Sequence, residues 1–177
     1  MFNKLKTILR HVWLDASDAQ RAVGPELLDR LTKRVAASEA RHTGEVRIYV
    51  EAALPLSYLR RMGPGSTLNQ IIRQRALMLF SKLRVWDTEH NNGVLIYLQL
   101  AEHAIEIVAD RGIAQHVPPG QWQAITQQMS LSFKAGRFEE GLTQALAEVS
   151  AVLVEHFAAA PGELPRLNQL PDEPGVG

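Results

Sequence analysis

The chain has 177 residues, no cysteine, and 19 basic and 19 acidic residues, so its formal net charge is zero. This balance argues against a dedicated nucleic-acid-binding protein, which needs a basic surface to neutralise phosphates. The lack of cysteine excludes disulfide frameworks, thiolate zinc sites and cysteine nucleophiles, so any metal would need oxygen or histidine ligands.

Hydrophobic residues make up 46% of the chain, which is enough for a substantial core. No apolar run reaches the roughly 20 residues that span a bilayer, and the N-terminus lacks the pattern of a signal peptide. We therefore expect a soluble, cytoplasmic protein. Phosphate-binding glycine loops are absent, and we predict no nucleotide or redox cofactor. We divide the chain into an N-terminal amphipathic helix and linker (1–17), an α/β domain (18–158) and a flexible tail rich in proline and glycine (159–177).

Residues 2–13 place apolar side chains on one face of a predicted helix and lysines and arginine beside it. The favoured interpretation is a terminal helix that packs on the domain through this apolar face. The alternative is a basic amphipathic helix that contacts an anionic membrane surface or a protein partner. The apolar positions are Phe2, Leu5, Ile8, Leu9, Val12 and Trp13.

The remaining periodicities predict helices and strands in an alternating order. Strands are predicted over 45–51, 94–100 and 104–110, the last two as a hairpin because only three residues join them. Loops are predicted over 54–66 and 84–92, and helices over 18–41, 67–83, 119–134 and 137–158. This order predicts an α/β fold: a mixed sheet of about four strands, three of them read directly, with helices on both faces.

The hairpin places Asp110 opposite Gly93 or Val94. The loop 86–92 enters the sheet at the same end, and a first strand parallel to the second begins there too. Several acidic and amide side chains should therefore meet at one end of the sheet, beside Arg111. These side chains are Asp87, Asp110, Glu45, Glu39, Glu89 and Asn91.

Carboxylates gathered in this way repel one another unless a cation or a basic side chain neutralises them. The pattern is compatible with a hard-metal site with oxygen ligands, suited to Ca²⁺, or to Mg²⁺ or Mn²⁺. The competing interpretation is that these residues cap helices and turns or pair with nearby arginines, and spacing alone favours it.

Arg75 falls within the apolar stripe of its predicted helix. Its aliphatic stem could be buried while the guanidinium reaches solvent, which is the favoured interpretation. Alternatively, the guanidinium reaches carboxylates or a bound phosphate.

Two segments resemble the core signature of TPM-domain proteins: Val85–Tyr97, which contains Asp87 and Asn91-Asn92-Gly93, and Val108–Ile113. Further matches lie at Glu39, at Thr43–Arg47 and at Phe133–Leu142, so the resemblance covers roughly residues 35–157. It implies a mixed sheet flanked by helices, with Asp87 and Asp110 in the acidic site of the family. Roles proposed in that family include acid phosphatase activity, divalent-cation binding and the maintenance of membrane complexes. Many members carry a signal peptide and a C-terminal transmembrane helix, whose patterns this sequence lacks.

Two functions follow. The favoured one is a binding module, without catalysis, for a divalent cation or a partner protein near a membrane complex. The alternative is a metal-assisted phosphomonoester hydrolase, with Asp87 or Asp110 at the reacting centre and Arg75 or Arg111 clamping the phosphate.

Overall fold

The computed structural model describes residues 2–63, 65–160 and 167–177, and for residues 2, 3, 119 and 128 only the backbone. Its helices are α1 (Phe2–Trp13), α2 (Ala16–Ala22), α3 (Pro25–Glu39), α4 (Leu56–Leu59), α5 (Leu68–Lys82), α6 (Arg111–Ala114), α7 (Pro119–Lys134) and α8 (Phe138–Phe157). Its strands are β1 (Glu45–Glu51), β2 (Gly93–Gln99), β3 (Ala104–Ala109) and β4 (Gly175–Val176).

The sheet is mixed, with the strand order β3-β2-β1-β4, as the predicted fold class requires. β1 is parallel to β2 and to β4, whereas β2 and β3 form the predicted antiparallel hairpin. All seven residues of β2 are buried, because helices cover both faces of the sheet. One core contains side chains from α2, α3, α7 and α8, and the other contains side chains from α4 and α5.

The predicted helix 18–41 is wrong in one respect, because the structure divides it into α2 and α3 at Gly24-Pro25. Proline lacks the N–H needed within a helix and disfavours a helical residue before it, so Pro25 instead begins α3. The predicted loop 54–66 contains the short helix α4. Among the described residues, no helix is long and apolar enough to cross a membrane.

The fourth strand comes from the segment expected to be a flexible tail. Residues 161–166 lie outside the described part of the chain, but Gly175–Val176 pairs in parallel with Tyr49-Val50. Gly177 extends this pairing, since its N–H donates to the carbonyl of Val50 (2.9 Å) and its carbonyl accepts from Ala52 (2.8 Å). Leu170 is buried against the α5 side of the sheet. The tail therefore covers one edge of β1.

Gly93 is a position where any side chain is obstructed by backbone. A Cβ atom at this residue would lie 2.0 Å from the carbonyl oxygen of Val85. We predict that Gly93→Ala lowers the free energy of unfolding by about 3 kcal/mol, because neither the strand nor the loop backbone can yield without breaking hydrogen bonds. Urea unfolding measures this difference.

The matched control is Gly120→Ala in α7, where an added Cβ atom meets nothing within 4 Å. That substitution should be neutral or slightly stabilising, since alanine restricts the unfolded chain. Equal stability of the two variants would contradict the close approach of Val85 to Gly93.

Candidate functional site

The acidic end of the sheet is built by strand register. Glu45 is the Cα partner of Gly93, and the N–H of Asp110 donates to the carbonyl of Gly93 at 2.9 Å. Glu45 and Asp110 therefore flank Gly93 on neighbouring strands, as the hairpin and the parallel pairing predict. Both carboxyl groups belong to largely buried residues, with exposed fractions of 7% and 8%.

Asp110 connects β3 to α6. Its Oδ1 accepts from the N–H of Arg111 at 2.7 Å, which caps the short helix. Its Oδ2 is buried and has no hydrogen-bond partner among the described residues. A buried carboxylate oxygen without a partner costs free energy, so this atom is the most unusual feature of the sheet end.

The loop before β2 contacts Asp110's neighbours directly. The Oδ1 atom of Asn91 accepts from Nε (3.0 Å) and Nη2 (2.6 Å) of Arg111, and the carbonyl of Asn91 accepts from the N–H of Gly112 (2.9 Å). Asn91 has a positive φ of 51°, a conformation that asparagine tolerates better than most residues. The loop is also held by Asn92, whose side chain donates to Thr43 Oγ1 at 2.9 Å.

Asp87 and Glu89 lie on the exposed side of this loop. Asp87 forms an ion pair with Arg84, and both side chains are largely exposed (45% and 70%). Such a pair contributes little, so the carboxylate of Asp87 can exchange partners at small cost. The backbone N–H of Glu89 donates to the side-chain oxygen of Gln169 in the tail at 2.8 Å.

Glu39 and Glu45 form a separate group with the tail. Oε1 of Glu39 accepts from the N–H of Val46 at 2.6 Å, and Oε2 of Glu45 accepts from the N–H groups of Gln169 and Leu170 at 3.3 and 3.1 Å. Burial raises the pKa of Glu39 to about 8, and the nearby carboxyl groups of Glu45 and Asp172 add to the rise. Glu39 therefore holds a proton at neutral pH, which limits repulsion among the three acids.

The six predicted ligands thus fall into groups with different partners. Asp110 and Asn91 meet at Arg111 and Gly112, Glu39 and Glu45 hold the tail, and Asp87 pairs at the surface. Within 2–63, 65–160 and 167–177, no three acidic or histidine side chains form a cluster that could hold a metal ion. The donors that would suit a hard cation best are the oxygens of Asp110, of Asn91 and of the adjoining loop carbonyls.

Arg75 lies at the opposite end of β1. Its Nε is 3.1 and 3.0 Å from the two carboxylate oxygens of Glu51, and its Nη2 also pairs with that group. The guanidinium therefore reaches a carboxylate rather than solvent, as the second interpretation of Arg75 held. The hydroxyl of Tyr97 donates to the same carboxylate at 2.7 Å, and burial beside Glu51 raises the pKa of Tyr97. Because six residues separate Glu45 from Glu51 along β1, this ion pair is about 20 Å from the acidic end.

Sequence reasoning missed the contribution of the tail to this site. Asp172, Gln169 and Leu170 reach Glu39 and Glu45 from a segment rich in proline, which reads as a flexible end. The isolated apolar residues of that segment, Leu170 and Val176 among them, could have signalled that it packs on the domain.

The first site prediction concerns Glu39 and pH. Between its ordinary pKa of 4.5 and its folded value of about 8, the folded protein keeps a proton that the unfolded chain has released. This proton's contribution to the free energy of unfolding therefore decreases as pH rises through that window. In Glu39→Gln the amide replaces the protonated acid, so the variant should gain stability relative to wild type as pH rises. Urea unfolding at several pH values measures the difference in free energy of unfolding between variant and wild type. Glu89→Gln, at an exposed position, is the control. A difference for Glu39→Gln that does not change with pH would contradict the prediction.

The second site prediction concerns the ion pair of Glu51 with Arg75. Arg75→Met should lower the free energy of unfolding by about 3 kcal/mol, because it leaves a buried carboxylate without its cation. Adding Glu51→Gln should restore part of that loss. Lys33→Met removes an exposed ion pair with Asp29 and should change stability by less than about 0.5 kcal/mol. A double variant no more stable than Arg75→Met alone would contradict this explanation.

Comparison with known proteins identifies the fold and the family. The NMR structure of the BA42 protein from the psychrophilic bacterium Bizionia argentinensis has a TM-score of 0.66 at 22% identity, covering 93% of this chain and 96% of that one. The solution structure of the N-terminal domain of a protein from P. gingivalis has a TM-score of 0.53 at 22% identity, covering 75% of this chain and 79% of that one. No curated protein matches the sequence. The family model described as the TPM domain matches residues 17–152, and the chain therefore belongs to the TPM-domain family.

Proposed function

We propose that the chain is a binding module without catalytic activity, which binds a divalent cation where the loop 85–92 meets Asp110. The observation that supports it most is the buried Oδ2 atom of Asp110, which has no hydrogen-bond partner among the described residues. A cation would supply the missing partner and neutralise the buried charge.

The neighbouring donors favour calcium over magnesium as the cation. Carboxylate, amide and carbonyl oxygens in an irregular loop suit the flexible coordination of Ca²⁺, whereas Mg²⁺ demands near-octahedral geometry. Asn91 lies beside Asp110 through its contacts with Arg111, and its Oδ1 already points toward a cationic group. On binding, the metal would replace the guanidinium of Arg111 as the partner of this oxygen, and Asp87 could exchange Arg84 for the metal.

The proposed role is to hold a partner in a membrane-associated complex, with the cation stiffening the loop.

The hydrolase alternative has less support because its phosphate clamp is not assembled. Arg75 is held by Glu51 at the far end of β1, and Arg111 binds Asn91. Phosphoryl transfer depends on cationic groups that are already positioned around the phosphate.

The test is an NMR titration of the ¹⁵N-labelled protein with Ca²⁺, Mg²⁺ and Mn²⁺. We expect changes confined to residues 85–93 and 108–113, with Ca²⁺ binding weakened about tenfold or more in Asp110→Asn. Asparagine keeps an oxygen to cap α6, so the fold should survive. Asp29→Asn, at an exposed ion pair on α3, is the control and should bind like wild type.

Four outcomes would count against the proposal. No response at millimolar cation, or equal binding by Asp110→Asn, would refute the site. Changes centred on residues 167–173 would move the site to Glu39 and Glu45. Turnover of p-nitrophenyl phosphate by rigorously purified protein, abolished by Asp87→Asn, would refute the absence of catalysis.

A further inference from the structure

Helix α1 packs on the domain through Ile8 but exposes most of the apolar face that it was expected to bury. Leu5, Leu9, Val12 and Trp13 follow one another at helical spacing, and their exposed fractions are 58%, 50%, 59% and 83%. Positions i, i+4, i+7 and i+8 lie on one side of a helix, so these side chains form a continuous outer stripe. The side chain of Phe2 lies outside the described part of the chain.

The opposite side of α1 is fastened to the domain. His11 is buried, its Nδ1 accepts from the N–H of Leu54 at 3.0 Å, and its Nε2 is 3.3 Å from Glu102 Oε1. Arg10 donates to the carbonyl of Ala101 (3.1 Å) and to Glu102 (3.0 Å), which lie at the hairpin turn of β2 and β3. These contacts orient the helix, so the apolar stripe must face away from the protein.

Basic groups lie beside this stripe. Lys4, Lys6 and Arg10 line a cavity of about 620 Å³ between α1 and the segment around Met62 and Ser66. Lys4 donates to the carbonyl of Met62 and Arg10 pairs with Glu102, whereas Lys6 makes no hydrogen bond or ion pair with the described residues. The helix has no acidic residue, and the next acids along the chain, Asp15 and Asp18, form the capping box of α2. An apolar stripe flanked by the unpaired cation of Lys6 matches the interface of an anionic bilayer.

We infer that α1 binds the protein to the surface of a membrane containing anionic lipids, with its apolar stripe in the acyl boundary and Lys6 at the headgroups. The charge of the helix favours an anionic bilayer as the occupant, because α1 carries lysines, arginine and histidine but no acidic residue. The exposed indole of Trp13 suits the membrane interface, where aromatic side chains of this kind concentrate.

The inference is independent of the cation proposed for Asp110, and the assays therefore contain EDTA. The test is co-sedimentation of the full chain with vesicles of phosphatidylcholine, alone or with about one third phosphatidylglycerol. We expect binding to the anionic vesicles that weakens as salt is added, because screening reduces the attraction between Lys6 and the lipid headgroups. The emission of Trp13 is the difference between the spectra of wild type and Trp13→Phe, and this emission should shift to shorter wavelength on binding.

Exposed substitutions separate membrane contact from folding. Leu9→Ser combined with Trp13→Ser should reduce binding about tenfold or more. Leu131→Ser changes a 70% exposed leucine of α7 and should bind like wild type. Lys6→Gln should weaken binding to anionic vesicles, whereas Lys82→Gln at the end of α5 should not. Circular dichroism and thermal unfolding check that each variant is folded.

The inference would be overturned if the protein did not sediment with anionic vesicles. Equal binding by wild type and the Leu9 and Trp13 double variant would overturn it as well. Binding to neutral vesicles with equal strength would refute the role of Lys6. Concentration-dependent dimerisation that this double variant abolishes, without vesicle binding, would identify the stripe as an interface between two copies.

Discussion

The carbonyl of Val85 occupies the space that a side chain of residue 93 would need, and the acidic end of the sheet depends on this contact. Because Gly93, the first residue of the fully buried strand β2, has no side chain, the preceding loop can lie directly against the start of that strand. The same loop reaches Gly112, where an added Cβ atom would lie 2.5 Å from the carbonyl oxygen of Asn91. Two positions without side chains therefore let loop and strand ends approach closely. Near them, the buried Oδ2 of Asp110 has no hydrogen-bond partner within the described part of the chain.

The two ends of the sheet use buried acids in different ways. At one end, Glu51 is matched by the guanidinium of Arg75 and the hydroxyl of Tyr97, which satisfies its charge with side chains. At the other end, Glu45 accepts backbone N–H groups from the tail, and Glu39 is a protonated acid because burial raises its pKa. The first arrangement is a fixed ion pair. The second depends on proton binding and on a distant segment of the chain, and it is therefore the more adjustable.

Local patterns predicted those parts of the fold that local rules decide. Strand alternation in Glu45–Glu51 and the short connection between β2 and β3 suffice to bring Glu45 and Asp110 to one end of the sheet. They cannot show which partner each acid takes, because the pairing of Asp87 with Arg84 and the approach of Asp172 to Glu39 depend on how loop and tail dock. The break at Gly24-Pro25 follows from proline chemistry, whereas apolar periodicity alone continues across it.

Long-range contacts were beyond sequence reasoning. The pairing of β4 with β1 and the exposure of the apolar face of α1 both depend on where distant segments dock. A helical stripe of apolar residues normally indicates the face that is buried. Here, buried His11 and the contacts of Arg10 with Glu102 hold the opposite side of the helix against the domain. Periodicity identified the apolar positions, but the orientation of the helix depends on polar contacts of His11 and Arg10 together with the packing of Ile8, which no pattern reveals.

The position of β4 also has a consequence for folding kinetics. Gly175 pairs with Tyr49, so 126 residues (175 minus 49) separate the partners, whereas β2 and β3 adjoin in sequence. The entropy of closing so long a loop makes this contact slow to form compared with the hairpin. Until it forms, one edge of β1 presents unpaired backbone groups to other chains. Refolding yield should therefore depend more on protein concentration in the interval before the tail docks than after it.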